Sequence, residues 1–396
     1  MLEIGSSDSD DKYLDQLDTD PYAIFDALRP KGAVHWIAPL KLWYVINHEQ
    51  VSAILHDTAD FVSGTSGSPV YDTFGTQMLS VDGQEQIRYR SAFRAAFAKR
   101  HVREKLTDEI HASVDTLISS FEQDGSTDLR RSFASRLPIQ TILHVFGLSQ
   151  ELEKQFRSWY DSFEAALGNF ERKPDIRIRA KNDVEDFHTF MQNEILRVRG
   201  TQNAGLLASV VNDDSKSTLT DEEIRKNTLI ILFGGISTVE ALILNTMYAV
   251  LSFAGIRSAV IDDFDRLPSI IEESVRWLSP VQSATRHAAR DIEIAGTKIK
   301  KGDTVNCMLG AANRDPKVFF DPADFKLDRP NIKQHIGFAT GPHVCLGNHL
   351  ARLQGEIAIK RLLKRLPDVR LTDPEKITIK GYEFRQPNRL DLSWRC

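Results

Sequence analysis

Apolar residues recur at helical spacing along most of this chain. Leu346, Leu350, Leu353, Ile357, Leu362 and Leu366 fall on one stripe and predict an amphipathic helix. The same period runs through Ile110–Phe121, Ile139–Phe146, Phe156–Leu167 and Val184–Val198. Residues 104–200 therefore read as almost wholly helical, with breaks at Gly147 and from Gly168 to Asp175. The longest apolar segment runs from Leu229 to Leu251. Thr220-Asp-Glu-Glu223 ahead of it forms a capping box, and Gly255 after it suits a helix stop. One helix over that whole stretch would span roughly 50 Å at 1.5 Å per residue, enough to cross a domain. Strand-prone runs are fewer. Ala33-Val34-His35-Trp36 and Trp43-Tyr44-Val45-Ile46, parted by a turn at Pro39, predict a small sheet, and Ile377–Leu392 predicts a hairpin. Residues 84–99 read as a helix, residues 62–80 as a loop, and residues 1–20 as a flexible acidic tail. The fold class is mainly α with a small β region; the length would allow two or three domains, yet no linker is visible.

Composition narrows the partners. The 396 residues are 41% hydrophobic and 27% charged, enough for a large core. A net charge of −5 without a basic block argues against nucleic acid. The acidic N-terminus is neither a signal peptide nor an anchor. The Leu229–Leu251 segment has the length of a membrane span. Glu240 near its middle would cost on the order of 3 kcal/mol there, so a buried central helix is expected and no membrane. Cys307, Cys345 and Cys396 are too widely spaced for a disulfide framework or a Cys-x-x-Cys metal site. A cytoplasmic, reducing setting follows.

Cys345 carries the chemistry. It lies in a loop of small, turn-forming residues just ahead of the Leu346 stripe. A helix N-terminus favours a thiolate over a thiol, and Gly341 and Gly347 let backbone come close to something bulky and flat. That equipment suits a single soft ligand to a haem iron. A lone cysteine is more often a small buried hydrophobe. The string Phe338-x-x-Gly341-x-His343-x-Cys345-x-Gly347, with five fixed positions in ten, resembles the haem-binding signature of the cytochrome P450 family. The usual glycine after the Phe is replaced by Ala339.

Further motifs follow in the family's order. Two adjacent glycines inside the central helix, Phe233-Gly234-Gly235-Ile236-Ser237-Thr238, cost about 1 kcal/mol each against alanine and ask for a ligand at close approach. Thr238 can turn its hydroxyl onto the i−4 carbonyl and open the helix. The string resembles the family's oxygen groove, Gly-Gly-x-acid-Thr, with Ser237 at the acid position. The resemblance then implies catalytic roles for Gly234, Gly235, Ser237 and Thr238, and axial ligation of haem b by Cys345. It implies haem contacts from Phe338 and Gly347, and propionate contacts from Arg90, Arg286 and His343. Gln86 stands where the family's His would be, and offers only a neutral hydrogen bond. Glu273-x-x-Arg276 with Arg329 resembles the Glu-x-x-Arg lock of the core. Phe74, Phe233, Ile236, Ser283 and Phe384 fall by position on the substrate pocket. In the resembling family the loop that holds or adjoins Phe61 and Tyr71 caps the cavity, and the resemblance implies that the break at Gly168-Asn169-Phe170 is a mobile lid.

The resemblance covers roughly residues 20–394 and implies the family's mainly helical fold with a small β region, in a single haem domain over residues 21–396. The implied activity is a monooxygenase that inserts one atom of O2 into an apolar small molecule by hydroxylation, O-dealkylation or epoxidation. Terpenoids, aryl ethers, steroids and polyketides all fit such walls. NAD(P)H-derived electrons arrive indirectly, through a ferredoxin and its reductase docking near Cys345. Two alternatives stay open: an H2O2-dependent peroxygenase, suggested by the missing acid at 237, and a haem-based sensor or binding protein.

Overall fold

The computed structural model describes residues 7–65, 68–168, 173–202, 205–213 and 219–395. It is 58% helical with small sheets. The central apolar segment is the organising element. Thr220 caps it with both halves of the capping box formed, as its sequence predicts. It is not one rod, however. Helix Asp221–Gly235 gives way at Ile236 (φ −96°, ψ −79°) to helix Ser237–Ser252. The paired glycines sit at that break, where helix propensity is lowest. Together the two helices span 32 residues, long and apolar enough to cross a bilayer, yet 83% of the most apolar window is buried inside the molecule. Glu240 is wholly buried there and held by Arg130 (2.6 Å), Arg157 (3.1 Å) and Gln386 (3.3 Å). Two cations and an amide offset the cost of burying its charge.

Around this axis pack the helices Thr107–Ser119, Leu137–Phe146, Leu267–Trp277 and Asn348–Arg365. All four belong with the axis to one continuous core. Helices Glu153–Leu167 and Pro174–Val198 lie over one side of it. The stretch read as almost wholly helical also holds a short strand, Ser126–Asp128, and a π-helical turn, Arg130–Ala134.

A five-stranded sheet runs in the order Val34–Ile37, Leu42–Val45, Thr304–Met308, Ser283–Ala288, Phe61–Val62. Its first pair, where the sequence predicts a small sheet, is an antiparallel hairpin with Val34 opposite Val45. Leu42–Val45 then pairs in parallel with Thr304–Met308 across some 260 residues of chain, a partnership no local pattern announces.

Three expectations change. Within the supposed N-terminal tail, residues 7–19 form a helix (residues 1–6 lie outside the described set), and Leu17 on it is buried. The loop over 62–80 contains the helix Pro69–Phe74. The C-terminal hairpin is shorter than predicted: only Ile379–Lys380 and Gln386–Pro387 pair. Leu392 instead joins a separate three-stranded sheet with Thr127 and Leu371. Lid residues Asn169 and Phe170, and Cys396, lie outside the described residues.

Candidate active site

The Cys345 loop precedes helix Asn348–Arg365, whose N-cap is Gly347. The Cys345 amide donates to the Phe338 carbonyl (2.9 Å), and the Asn348 side chain donates to the Cys345 carbonyl (2.7 Å). These bonds close the loop on itself. At Gly341 (φ +74°) a Cβ would lie 2.3 Å from the Leu55 carbonyl oxygen, so only glycine fits. Ala339 is held at φ +55°, the left-handed region that glycine occupies freely. Burial pushes the Cys345 thiol up, against the pull of the Gly347 amide, Arg90 and Arg352. Desolvation thus outweighs the field of the helix terminus that the sequence predicts.

Behind the loop a carboxylate cluster fixes the geometry. Glu273, Arg276 and Arg329 are buried together, with Arg276 Nη2 2.7 Å and Arg329 Nε 3.0 Å from Glu273. The remaining guanidinium donors reach carbonyls of Asn313, Pro322, Phe320 and Asp324. A weak i,i+3 pair on paper becomes a fully satisfied buried network, the form in which such charges hold a fold.

One cavity of about 440 Å³ lies between the loop and the central helix. Cys345, Phe338, Gly347, Gly234, Gly235 and Thr238 all line it, as do Arg90, Arg286 and His343. Thr238 donates to the Gly234 carbonyl at 2.6 Å, the predicted back-bond. Of the proposed substrate contacts, Phe233, Ser283 and Phe384 line the cavity. The Phe233 and Phe384 rings meet edge-on at 5.8 Å.

Four sequence-predicted residues do not line it. Phe74 is buried behind the wall, its ring 5.1 Å from Phe233 and 5.6 Å from Phe163. Ile236 points from the helix break toward Tyr160 and Phe163. Ser237, 1% exposed, also faces away, toward Tyr160 and Glu164 on the Glu153–Leu167 helix. Adjacent residues of a helix project about 100° apart, and here Thr238 takes the cavity side while Ser237 does not. Gln86 donates to the Pro342 carbonyl (2.8 Å) and braces the loop from outside.

The residues fit a haem. A Cβ built at Gly234 or at Gly347 meets no protein atom within 4 Å, so both glycines leave room on the cavity side. Arg286 is buried, makes no ion pair among the described residues, and bonds only to the Thr285 carbonyl (2.8 Å), leaving its Nε without a partner. Arg90 reaches the Val344 carbonyl and likewise lacks an acid. Two cations facing an apolar cavity ask for anionic groups such as propionates. His343 is half committed: Nε2 lies 2.8 Å from Asp82 and 3.0 Å from the Ser63 hydroxyl, while buried Nδ1 has no partner. Burial raises the Asp82 carboxyl, but bonds from His343 and Ser63 outweigh it and leave it lowered.

Two polar features escaped the sequence reading, Glu164 behind Ser237 and Glu383 on the cavity wall. Neither sits in a motif, and only the packing of distant segments places them.

Known proteins share this arrangement. The cytochrome P450 family model matches residues 249–390. The cytochrome P450 monooxygenase PikC of Streptomyces venezuelae is 31% identical over 390 residues, covering 95% of this chain and 91% of its own. A steroid C26-monooxygenase of Mycolicibacterium smegmatis is 30% identical over 308 residues, 78% of this chain and 76% of its own. Among solved structures, P450BioI with a hexadec-9Z-enoic acid ligated acyl carrier protein superposes with a TM-score of 0.87 at 27% identity, covering 95% of this chain and 99% of that one. CYP109E1 from Bacillus megaterium in complex with testosterone gives 0.88 at 25% identity, covering 96% and 98%. With these relatives aligned over nearly its whole length, and with a cysteine loop and a glycine-opened helix sharing one cavity, the chain belongs to the cytochrome P450 family, the haem-thiolate oxidoreductases.

Proposed function

We propose that this enzyme inserts one atom of O2 into a mostly apolar organic molecule, with Cys345 as the axial ligand of haem b. The observation that carries the reading is that Cys345 and the opened helix at Gly234–Thr238 line the same largely apolar cavity. When bound, the haem supplies oxygen activation, and thiolate donation favours O–O cleavage. The protein's part is placement. Arg90 and Arg286 hold the propionates, with His343 Nδ1 as a third donor. Phe233 and Phe384 shape the substrate side, and Thr238, its own proton on the Gly234 carbonyl, offers its hydroxyl oxygen to the cavity as an acceptor. Electrons come from NAD(P)H through a ferredoxin and its reductase. The apolar ligands named for relatives, testosterone and a fatty acyl chain, support a mostly apolar substrate.

Proton supply differs from the family pattern, since Ser237 stands at the acid position and faces Glu164 rather than the cavity. Burial raises the Glu164 carboxyl, with nearby Glu240 adding to it. The Glu164 carboxyl behind Ser237 is the group that stands in for the absent helix acid. The peroxygenase reading keeps one supporting observation, the absence of an acid at 237.

Cys345→Ser should abolish the red-shifted Soret band of the reduced carbon-monoxide complex, and Cys307→Ser should keep it. Cys307 is fully buried with its thiol pushed up to about 12, unfit as a thiolate. The reverse result sinks the assignment. Thr238→Ala should still consume NADPH with redox partners but release peroxide in place of product. Full coupling in Thr238→Ala, with turnover by peroxide alone, would favour the peroxygenase.

A further inference from the structure

The cavity is not uniformly apolar. One wall carries Ser283, Thr285, Asn306, Tyr382 and Glu383, next to Phe384. Thr285 donates to Asn306 (2.8 Å), and Tyr44 donates to Tyr382 (2.8 Å), so most of this wall is satisfied internally. Glu383 is the exception. Its carboxyl has one hydrogen-bond partner, the Ser283 hydroxyl, 3.0 Å from both oxygens. No cation pairs with it among the described residues, and none of the cavity's basic groups, Arg90, Arg286, His287 and His343, is bonded to it. Arg90 is on the Val344 carbonyl, Arg286 on that of Thr285, and His343 on Asp82. What surface Glu383 keeps accessible is turned to the cavity.

The position is built. Glu383 sits at the tip of the Ile379–Pro387 hairpin, where Gly381 takes φ +118° and a Cβ would lie 1.7 Å from the Phe384 carbonyl oxygen. Gln282 donates its amide to the Glu383 carbonyl (2.8 Å), and Val281 pairs with Phe384. Backbone bonds on both sides therefore hold the carboxyl on the wall. A carboxylate in a low-dielectric cavity with one hydroxyl partner is costly unless a ligand brings the opposite charge.

Building on the proposed monooxygenase reading, we propose that Glu383 is a specificity-determining residue that selects substrates bearing a basic amine on an otherwise apolar skeleton. An ammonium supplies the missing charge and donates a charge-assisted hydrogen bond. A hydroxyl donates a bond but leaves the charge uncompensated. Burial pushes the Glu383 carboxyl up to about 7 against the pull of Ser283, so it is largely ionised at pH 8 and available to an amine. With the amine on Glu383, the skeleton lies along Phe384 and Phe233, and its far end meets the opened helix at Thr238.

Three ligands with one apolar skeleton and different heads test this: dimethylamino, isopropyl and carboxylate. Binding to the haem-loaded enzyme is measured by calorimetry at pH 8. Wild type should bind the amine about ten-fold tighter than its isopropyl isostere, with the carboxylate weakest. In Glu383→Gln, which keeps shape and removes charge, the amine's advantage should fall to within about two-fold. The proposal is overturned if wild type binds the isopropyl ligand as well as the amine, or the carboxylate best. It is also overturned if Glu383→Gln keeps the full preference, or if the amine gives a nitrogen–iron ligation spectrum in wild type. The wild-type comparison stands even if the variant does not fold. The carbon-monoxide band of the same preparation reports separately on the haem-thiolate reading. A normal band without amine preference rejects the Glu383 role alone, and a missing band rejects the functional reading.

Discussion

Single residues in this chain carry unequal shares of the site. Ala339 occupies a left-handed backbone position beside the cysteine, at φ +55°. A Cβ there costs about 1 kcal/mol that glycine would not. Ala339→Gly should therefore raise stability to urea by about 1 kcal/mol while leaving the carbon-monoxide spectrum unchanged. A drop in stability would mean that the methyl's packing outweighs the strain. Arg286 and Gln86 were read as partners on the same cofactor, but their surroundings separate them. Arg286 is a buried cation aimed into the cavity without an acid, whereas Gln86 braces the Pro342 carbonyl from outside. Losing a charged donor to a buried carboxylate costs about 1.5–3 kcal/mol, against about 1 for a neutral bond. Haem loss on dialysis should accelerate strongly in Arg286→Ala and little in Gln86→Ala. Equal loss would return Gln86 to the cofactor.

At the scale of elements, the helix behind the cysteine is docked by charge as well as by apolar packing. Arg352 on helix Asn348–Arg365 donates to Glu272 on helix Leu267–Trp277 at 2.9 Å and covers the Phe338 ring at 4.2 Å. His335 adds a 2.6 Å contact to the same carboxylate. Burial raises the Glu272 carboxyl, but bonds from Arg352 and His335 outweigh it and lower it from 4.5 to about 2. A depressed carboxyl stabilises the fold above its unfolded pKa, and that stability fades as pH falls from about 4.5 toward 2. The contribution is on the order of 3 kcal/mol. In urea titrations from pH 7 to pH 3, wild type should lose stability steeply below pH 4.5. Glu272→Gln should start lower and fall less, so that the curves converge. Parallel curves would show that the ion pair adds nothing.

Over the whole molecule, the cavity draws its walls from residues as far apart as Ser63 and Phe384. The ends of the chain meet beside it. The Asp18 carboxylate accepts from the Gly381 amide (3.0 Å), and Arg385 donates to the carbonyls of Asp18 (2.7 Å) and Thr19 (2.6 Å). The acidic N-terminal stretch thus braces the hairpin that presents Glu383. Composition suggested a loose tail because charge density is local, while the docking partner lies more than 360 positions away.

What the sequence determined by itself was whatever depends on near neighbours. The central helix with its capping box, the Val34–Val45 hairpin, the glycine pair and the cysteine loop are all set by residues within a few positions of one another. Short-range sterics and hydrogen bonding act at that distance. The Glu273–Arg276 pair was legible for the same reason, although its full burial was not. The tertiary structure alone decided which way each side chain of those elements faces. It bent the central helix at Ile236, turned Thr238 into the cavity and Ser237 out of it, and withdrew Phe74 and Gln86 behind the walls. It also brought Glu383 onto the cavity and Glu164 up to Ser237. The physical reason is that burial and electrostatics sum over everything within several ångströms, whatever its place in the chain. A carboxyl's role is set by neighbours that folding supplies, and for Glu383 and Glu164 those neighbours are far away in sequence.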